Sequence, residues 1–370
     1  MSHGIVWLLA TTLLLNCTPL FAVDIQSQLT ALEELRLKDR SRFSSDVKKL
    51  KPYLELEALP KNQKSHLALL YSWDLVLSGE FSQAKAILEQ HESTQDKHLS
   101  LRMLGLRVNI DILSFQYINA FISIEQLLVN LPNITDELAY YQLTGQIILL
   151  YNNIDRFDLA QHLVERGLSI ASDKSIRCRL KALGLQSSYK TQTFQSYIQD
   201  FDETSSLCKD TAETLFYLLA TRNHMFYLLE QQQAAAALAF YQQYYSQVEQ
   251  INYPILTAGF NAAAAEALLQ QGEFAAAREL AQRAEQSLPG DRNDPAVLST
   301  YRVLTLLAQA ERNFDNLLRY SEKRRDTELA IAREKASQQL AYQLASGEAR
   351  LKEQRIQLLD KDNELLTLER

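Results

Sequence analysis

The stretch Asn261–Pro289, NAAAAEALLQQGEFAAARELAQRAEQSLP, reads as two short helices bent back on one another. Alanine and leucine dominate both halves, and both favour helix. Gly272 supplies the backbone freedom of a tight turn between the halves. Phe274 and Ala277 then fall at the crossing, where alanine permits close approach and phenylalanine fills the wedge. Pro289 closes the unit because it cannot continue the hydrogen-bond ladder. A hairpin of this size cannot bury its own apolar face and needs neighbours of the same kind.

Those neighbours are present. The same spacing recurs at Phe81, Tyr117, Phe157, Phe194, Gln233, Phe274 and Phe314, 36 to 41 residues apart. The grammar is clear in Gly79-Glu80-Phe81 with Ala84, and in Tyr151 to Phe157 with Ala160 and Gly167. It blurs at Tyr117 with Ala120, at Gln233 with Ala236 and Phe240, and at Phe314 with Leu317; at Phe194 the small residue is replaced by Tyr197. Glycine at the turn, an aromatic two residues on and alanine three further resemble the tetratricopeptide repeat. The resemblance covers roughly residues 64 to 330, with gaps longer than the 34 residues usual for that repeat. It implies an all-α protein: an α-solenoid of about seven degenerate hairpins followed by a long C-terminal helix.

Composition agrees. The 370-residue chain holds only 10 Gly and 7 Pro, too few for the turns of a β protein. Its formal charge of −7 argues against nucleic acid as a partner. The apolar period Ile25, Leu29, Leu32, Leu35 predicts a first helix that caps the array together with the segment from Val47 to Leu59. Expected boundaries are 1–22 for a signal peptide, 23–63 for capping helices, 64–315 for the solenoid and 316–370 for the terminal helix.

The expected signal peptide rests on Ile5–Leu15, an apolar run too short to span a bilayer, with no charged side chain before Asp24 and a small residue, Ala22, at the cleavage point. A buried N-terminal helix is the alternative, and Leu14-Leu15-Asn16-Cys17 only faintly matches a lipoprotein box. No later stretch is apolar enough to span a membrane, so the expected location is periplasmic. Cys178 and Cys208 could pair in an oxidising compartment, but spacing does not place their Cβ atoms in range. Two separate buried thiols are the expectation and a disulfide the alternative.

In the tail, Leu344, Leu351, Leu358 and Leu365 recur every seven residues, a coiled-coil spacing, although Glu348, Arg355 and Asp362 occupy the companion row. Two readings stand: a homodimer through this helix, or a helix lying on its own solenoid. The segment Gly347–Leu359 also resembles the helix that ends the repeat region of bacterial periplasmic sensors. In those proteins a transmembrane segment and a GGDEF cyclase or histidine kinase follow. Here the sequence stops at Arg370, so the resemblance implies an input module, with a sensor fragment lacking its output half as one alternative and an envelope assembly scaffold as another.

Chemistry is sparse. The six histidines form no HxxxH or HxH pair, and His91 with His98 reads as a solvated segment, so no metal, cofactor or catalytic residue is expected. The repeat resemblance instead implies a protein- or peptide-binding groove lined by the first helix of each hairpin. Carrying its register over gives Asn152, Asn153, Thr221, Met225, Glu266 and Gln270 as groove candidates, asparagine being suited to a peptide backbone because it donates and accepts. Arg222-Asn223 supplies half of a basic clamp for a carboxyl terminus, without a second half. In the aromatic cluster Tyr227, Phe240, Tyr241, Tyr244, Tyr245 and Tyr253, Phe240 with Tyr244 and Tyr241 with Tyr245 form two neighbouring stripes; core packing is the expectation, and one stripe exposed for ligand contact the alternative.

Overall fold

The computed structural model describes residues 25–368 apart from 39, 58, 92–95, 252 and 289–294. The expected signal peptide, Cys17 and the Pro289 stop lie outside these residues. The described residues form sixteen α-helices and two short 3-10 turns, without a strand. α1 (Ile25–Lys38) pairs with α2 (Arg40–Leu50) and α3 (Lys61–Leu77) with α4 (Phe81–His91); α5 (Lys97–Leu113) and α6 (Tyr117–Asn130) follow in the chain. Next come α7 (Glu137–Asn153) with α8 (Phe157–Ile170), α9 (Lys174–Thr191) with α10 (Phe194–Asp210), and α11 (Thr214–Glu230) with α12 (Ala234–Ile251). Last are α13 (Pro254–Gln270) with α14 (Phe274–Ser287), and α15 (Pro295–Ala310) with the 55-residue α16 (Phe314–Leu368).

Two compact units meet within α5, residues 1–110 and 111–370. In the first, Leu29 and Leu32 of α1 join Phe43 and Val47 of α2 and the buried face of α3, Leu67 to Leu70. The partner of α1 is thus α2, which overlaps the expected segment Val47–Leu59 only at its last turn. Glu33 ties α1 to α3 and α5: His66 lies 2.8 Å from its carboxylate and Arg102 pairs with the same oxygen. Burial alone would raise the Glu33 carboxyl, but the His66 hydrogen bond and the charges of Arg102 and Arg36 outweigh it and hold the group at about 2.

In the second unit α7 packs on α9, α9 on α11, α11 on α13 and α13 on α15, so first helix stacks on first helix as a solenoid requires. Six of the seven register residues begin a second helix; the exception is Gln233, which precedes α12 by one. The true register residue there is Ala234, and Ala237, fully buried, takes the place expected for Ala236. Ala84, Ala120, Ala160 and Ala277 are likewise fully buried at the fourth position of their helices, where a larger side chain would force the pair apart. The aromatic wedge is less general. Phe274 is half-exposed, since Ala277 brings α13 and α14 together without it, and Phe314 is 75% exposed.

The turns explain why the repeat looks degenerate. Gly79 and Gly272 adopt φ near +80°, as the sequence leads one to expect, but Phe115, Asp155, Gln232 and Arg312 occupy the same left-handed position in their hairpins. In each, the amide after the left-handed residue bonds back to a carbonyl five residues earlier: Glu80 to Leu75, Gln116 to Asp111, Arg156 to Tyr151, Gln233 to Leu228, Glu273 to Leu268 and Asn313 to Ala308, all within 2.8–2.9 Å. One Schellman-type helix ending is thus built in six hairpin turns, twice with glycine, and once more between α10 and α11, where Ala212 is left-handed and the Glu213 amide bonds back to Cys208 at 3.0 Å. The α9–α10 turn differs: Gln192 is extended and Thr193 caps α10 by accepting the Ser196 amide. That departure matches the weak register at Phe194.

Cys178 of α9 and Cys208 of α10 are joined by a disulfide, with Cα atoms 5.0 Å apart, which corrects the expectation of separate thiols. Helical pairing of α9 with α10 brings together two residues 30 positions apart, a proximity that spacing alone does not reveal.

Candidate functional site

The site is a cavity of about 400 Å³ within the second unit. Its apolar floor comes from Ile112 and Leu113 at the end of α5, Leu149 and Leu150 of α7, Leu219 of α11 and Ile255 at the start of α13. Polar groups rise around that floor: Gln146 and Asn153 on α7, Arg222 on α11, Tyr253 before α13, and Glu334 and Gln338 on α16. First helices of successive hairpins supply most of the lining, since residues spaced three or four apart on a helix share one face. Leu149 and Asn153, and Leu219 and Arg222, are such pairs.

The remaining wall is α16, which packs along α6. Tyr117 donates its hydroxyl to Glu334 Oε1 at 2.9 Å, and Gln338 Nε2 donates to the same oxygen at 3.3 Å. Burial, with Glu334 beside it, pushes the Tyr117 hydroxyl up to about 12, so it remains a donor at neutral pH. The next residue, Lys335, pairs with Asp155 at 2.6 Å. Tyr342 packs edge-on against Phe121 and Tyr151, and Arg156 donates to its hydroxyl while lying 5.1 Å from its ring centre. Ala341 and Ala345 are buried in this contact, but beyond them α16 stands clear: Leu351 is 69% and Leu358 63% exposed. The proximal helix lies on the solenoid, as one reading of the tail expected, and the distal leucine row faces solvent. The Leu365 side chain lies outside the described residues.

Among the sequence candidates, Asn153 lines the cavity and the others do not. Asn152 is buried, donating to the Leu183 carbonyl at 3.2 Å and accepting from Ser187 Oγ at 2.6 Å; it ties α7 to α9. Thr221 is buried and donates to the Tyr217 carbonyl, and Met225 is core. Glu266 is buried between Arg302, which pairs with it, and Ser299, which donates to it at 2.9 Å. Gln270 is exposed near the end of α13, away from the cavity. Of the two α7 candidates only Asn153 faces the cavity, and none of those on α11 and α13 does. Arg222 was legible as half of a clamp. Glu334, Gln338 and Tyr117 were not, because nothing local to α16 shows that it folds back on α6.

The aromatic cluster is consumed by packing. Phe240 meets Phe201 and His224, Tyr244 meets Tyr217, and Asn261 of α13 bonds to the hydroxyls of Tyr241 and Tyr245. Only Tyr253 reaches the cavity. Among the described residues no group of three or more His, Cys, Asp or Glu could hold a metal ion, and no helix is long and apolar enough to cross a membrane.

Stacked hairpins with a long terminal helix define an α-solenoid of tetratricopeptide-like units. No protein-family model matches the sequence, and no curated protein matches it. Solved structures do share the fold. The apo form of the quorum sensor NprR from B. thuringiensis is 13% identical, with a TM-score of 0.53 over 88% of this chain and 98% of that one. NprR in complex with its cognate peptide NprX is 14% identical, with a TM-score of 0.54 over 81% and 87%. A Rap protein complexed with competence and sporulation factor is 10% identical, with a TM-score of 0.56 over 84% and 99%.

Proposed function

We propose that this chain is a non-catalytic peptide receptor, the input part of a periplasmic signalling system. The observation that carries the reading is the cavity itself: an apolar floor ringed by amide, guanidinium, phenol and carboxylate groups, with one wall on a helix that continues past the site. Asn153, Gln146 and Gln338 can each donate to and accept from a peptide backbone, while the leucines of the floor take side chains. The fold shared with a peptide-bound NprR supports the same reading. Export is supported by the apolar run Ile5–Leu15 and agrees with the disulfide between Cys178 and Cys208.

A ligand in the cavity touches Glu334 and Gln338, so its presence bears on the docking of α16. The exposed row of Leu344, Leu351 and Leu358 is the surface we assign to the next component, whether a second copy of this chain or the output half of a sensor. The test is retention of a pool of random-sequence, free-ended peptides by the purified full chain. Wild type retains peptide, and Leu149→Trp, which fills the cavity, does not; equal retention by both contradicts the site. Deleting residues 347–370 then separates the roles: binding persists while signalling is lost.

A further inference from the structure

Among the described residues of α16, none beyond Ala345 is buried. About 100° separates successive residues of a helix, so Leu344, Leu351 and Leu358 share one stripe, each at least half exposed. Ala341, Tyr342 and Ala345, which dock on α6, lie to one side of that stripe. Glu348 and Arg355 follow on the same side, with Ile356 and Leu359 beyond them, again at least half exposed. The other side is polar, with Arg350, Gln354, Gln357 and Lys361. α6 adds a second exposed apolar row. Tyr117 meets Glu334 and Phe121 meets Tyr342, so α6 and α16 run in the same direction, and exposed Ile118 and Ile122 flank exposed Leu340 and Leu344. Phe115, Ile118 and Leu340 line a groove of about 360 Å³ there.

We propose that a second copy of this chain fills that surface, with the two α16 helices antiparallel and crossing near Leu351. The inference names the partner of the leucine row assigned above and does not rest on what the cavity holds. A two-fold pair makes each contact twice, so Leu351 meets its counterpart and Leu344 meets Leu358 of the second copy. In that register Leu359 of the second copy falls on the α6 side, level with Ile122. Both apolar rows are then covered, and each distal segment lies along the groove of the other copy. Charge selects the direction. Antiparallel pairing sets Glu348 opposite Arg355 of the second copy, and Arg355 opposite its Glu348. Parallel pairing sets Arg355 against Arg350 of the second copy and keeps Ile356 and Leu359 away from Ile122.

The test begins with sedimentation velocity of the full wild-type chain over a concentration series, which gives a dimer and needs no variant to fold. Disulfide trapping in a Cys17→Ser background then reads the direction. Leu344→Cys crosslinks to Leu358→Cys when differently tagged chains are mixed, neither crosslinks to itself, and Leu351→Cys does. Glu348→Arg sets like charge against Arg355 of the second copy, and Arg355→Glu sets like charge against its Glu348. Each weakens the dimer about tenfold at low salt, since two attractions become two repulsions. An equimolar mixture of these two variants forms a heterodimer as tight as the wild type. A monomer at every concentration, which leaves the row to a different protein, overturns the inference. So do crosslinks of Leu344→Cys and Leu358→Cys each to itself without the mixed product, which is the parallel pair. Either result leaves peptide retention at the cavity, and so the receptor reading, to stand on its own test; loss of peptide retention in a chain that still dimerises removes that reading and leaves this one.

Discussion

Tyr117, the first residue of α6, donates its hydroxyl to Glu334 of α16 at 2.9 Å, joining two residues 217 positions apart at the rim of the cavity. Around that bond the Lys335–Asp155 pair and the Tyr342 ring contacts hold three turns of α16 against α6 and the α7–α8 hairpin. The terminal helix is therefore a wall of the cavity.

Tyr342→Ala removes the ring that meets Phe121, Tyr151 and Arg156. Loss of a partly buried aromatic at such a contact costs about 2–3 kcal/mol. Amide hydrogen exchange is expected to rise across residues 334–345 while α13 and α14 keep their protection.

Arg312 sits in the left-handed conformation that glycine adopts at Gly79 and Gly272. A non-glycine residue there costs roughly 1–2 kcal/mol, offset in part by the greater entropy glycine has in the unfolded chain. Arg312→Gly is expected to stabilise by about 0.5–1 kcal/mol, and Gly272→Val to destabilise by more, both read from denaturation midpoints.

These turns also show how far the sequence carries. Helix pairing, the buried alanines at Ala84, Ala160 and Ala277, and the first helix from Ile25 were legible, because each follows from local periodicity; the partner of that helix was placed too late in the chain. The four turns without glycine hid the regularity, since tertiary packing of the flanking helices imposes a conformation that Phe115 or Arg312 would not choose alone. The site was legible only at Asn153 and Arg222. Which side of a first helix faces a cavity depends on its rotation against two neighbours, and an error of one residue puts Asn152 rather than Asn153 in the wall. The Glu334 wall depends on a contact between distant segments, for which the sequence has no local signal.

Acid should loosen the second unit first, at α9–α12. Burial lowers the His224 imidazole to about 4, where it stacks on Phe201 and Tyr197 lies 3.0 Å from Nδ1. A folded-state value below the unfolded one, about 6.5, gives stability that is present above pH 6.5 and is lost as pH falls through 4. The gap corresponds to roughly 3 kcal/mol. Glu33, held at about 2, adds a separate loss below pH 4.5 in the first unit. His224→Leu is expected to flatten the upper window only, monitored by tyrosine fluorescence against pH.

Reduction of the Cys178–Cys208 disulfide reopens a loop of 30 residues. In the chain-entropy account such a loop is worth about 3–4 kcal/mol. A thiol reductant is expected to lower the melting temperature, and the double variant Cys178→Ala/Cys208→Ala to lose that sensitivity.

The most direct measurement is capture in the cell. A photoreactive benzoylphenylalanine at Leu149, on the cavity floor, and one at Val129, on the exposed face of α6, are irradiated in separate strains and the adducts are sequenced by mass spectrometry. The account expects short peptides attached at 149 and none at 129. Peptide adducts at 129 alone, or none at 149 in a folded, expressed protein, would contradict it.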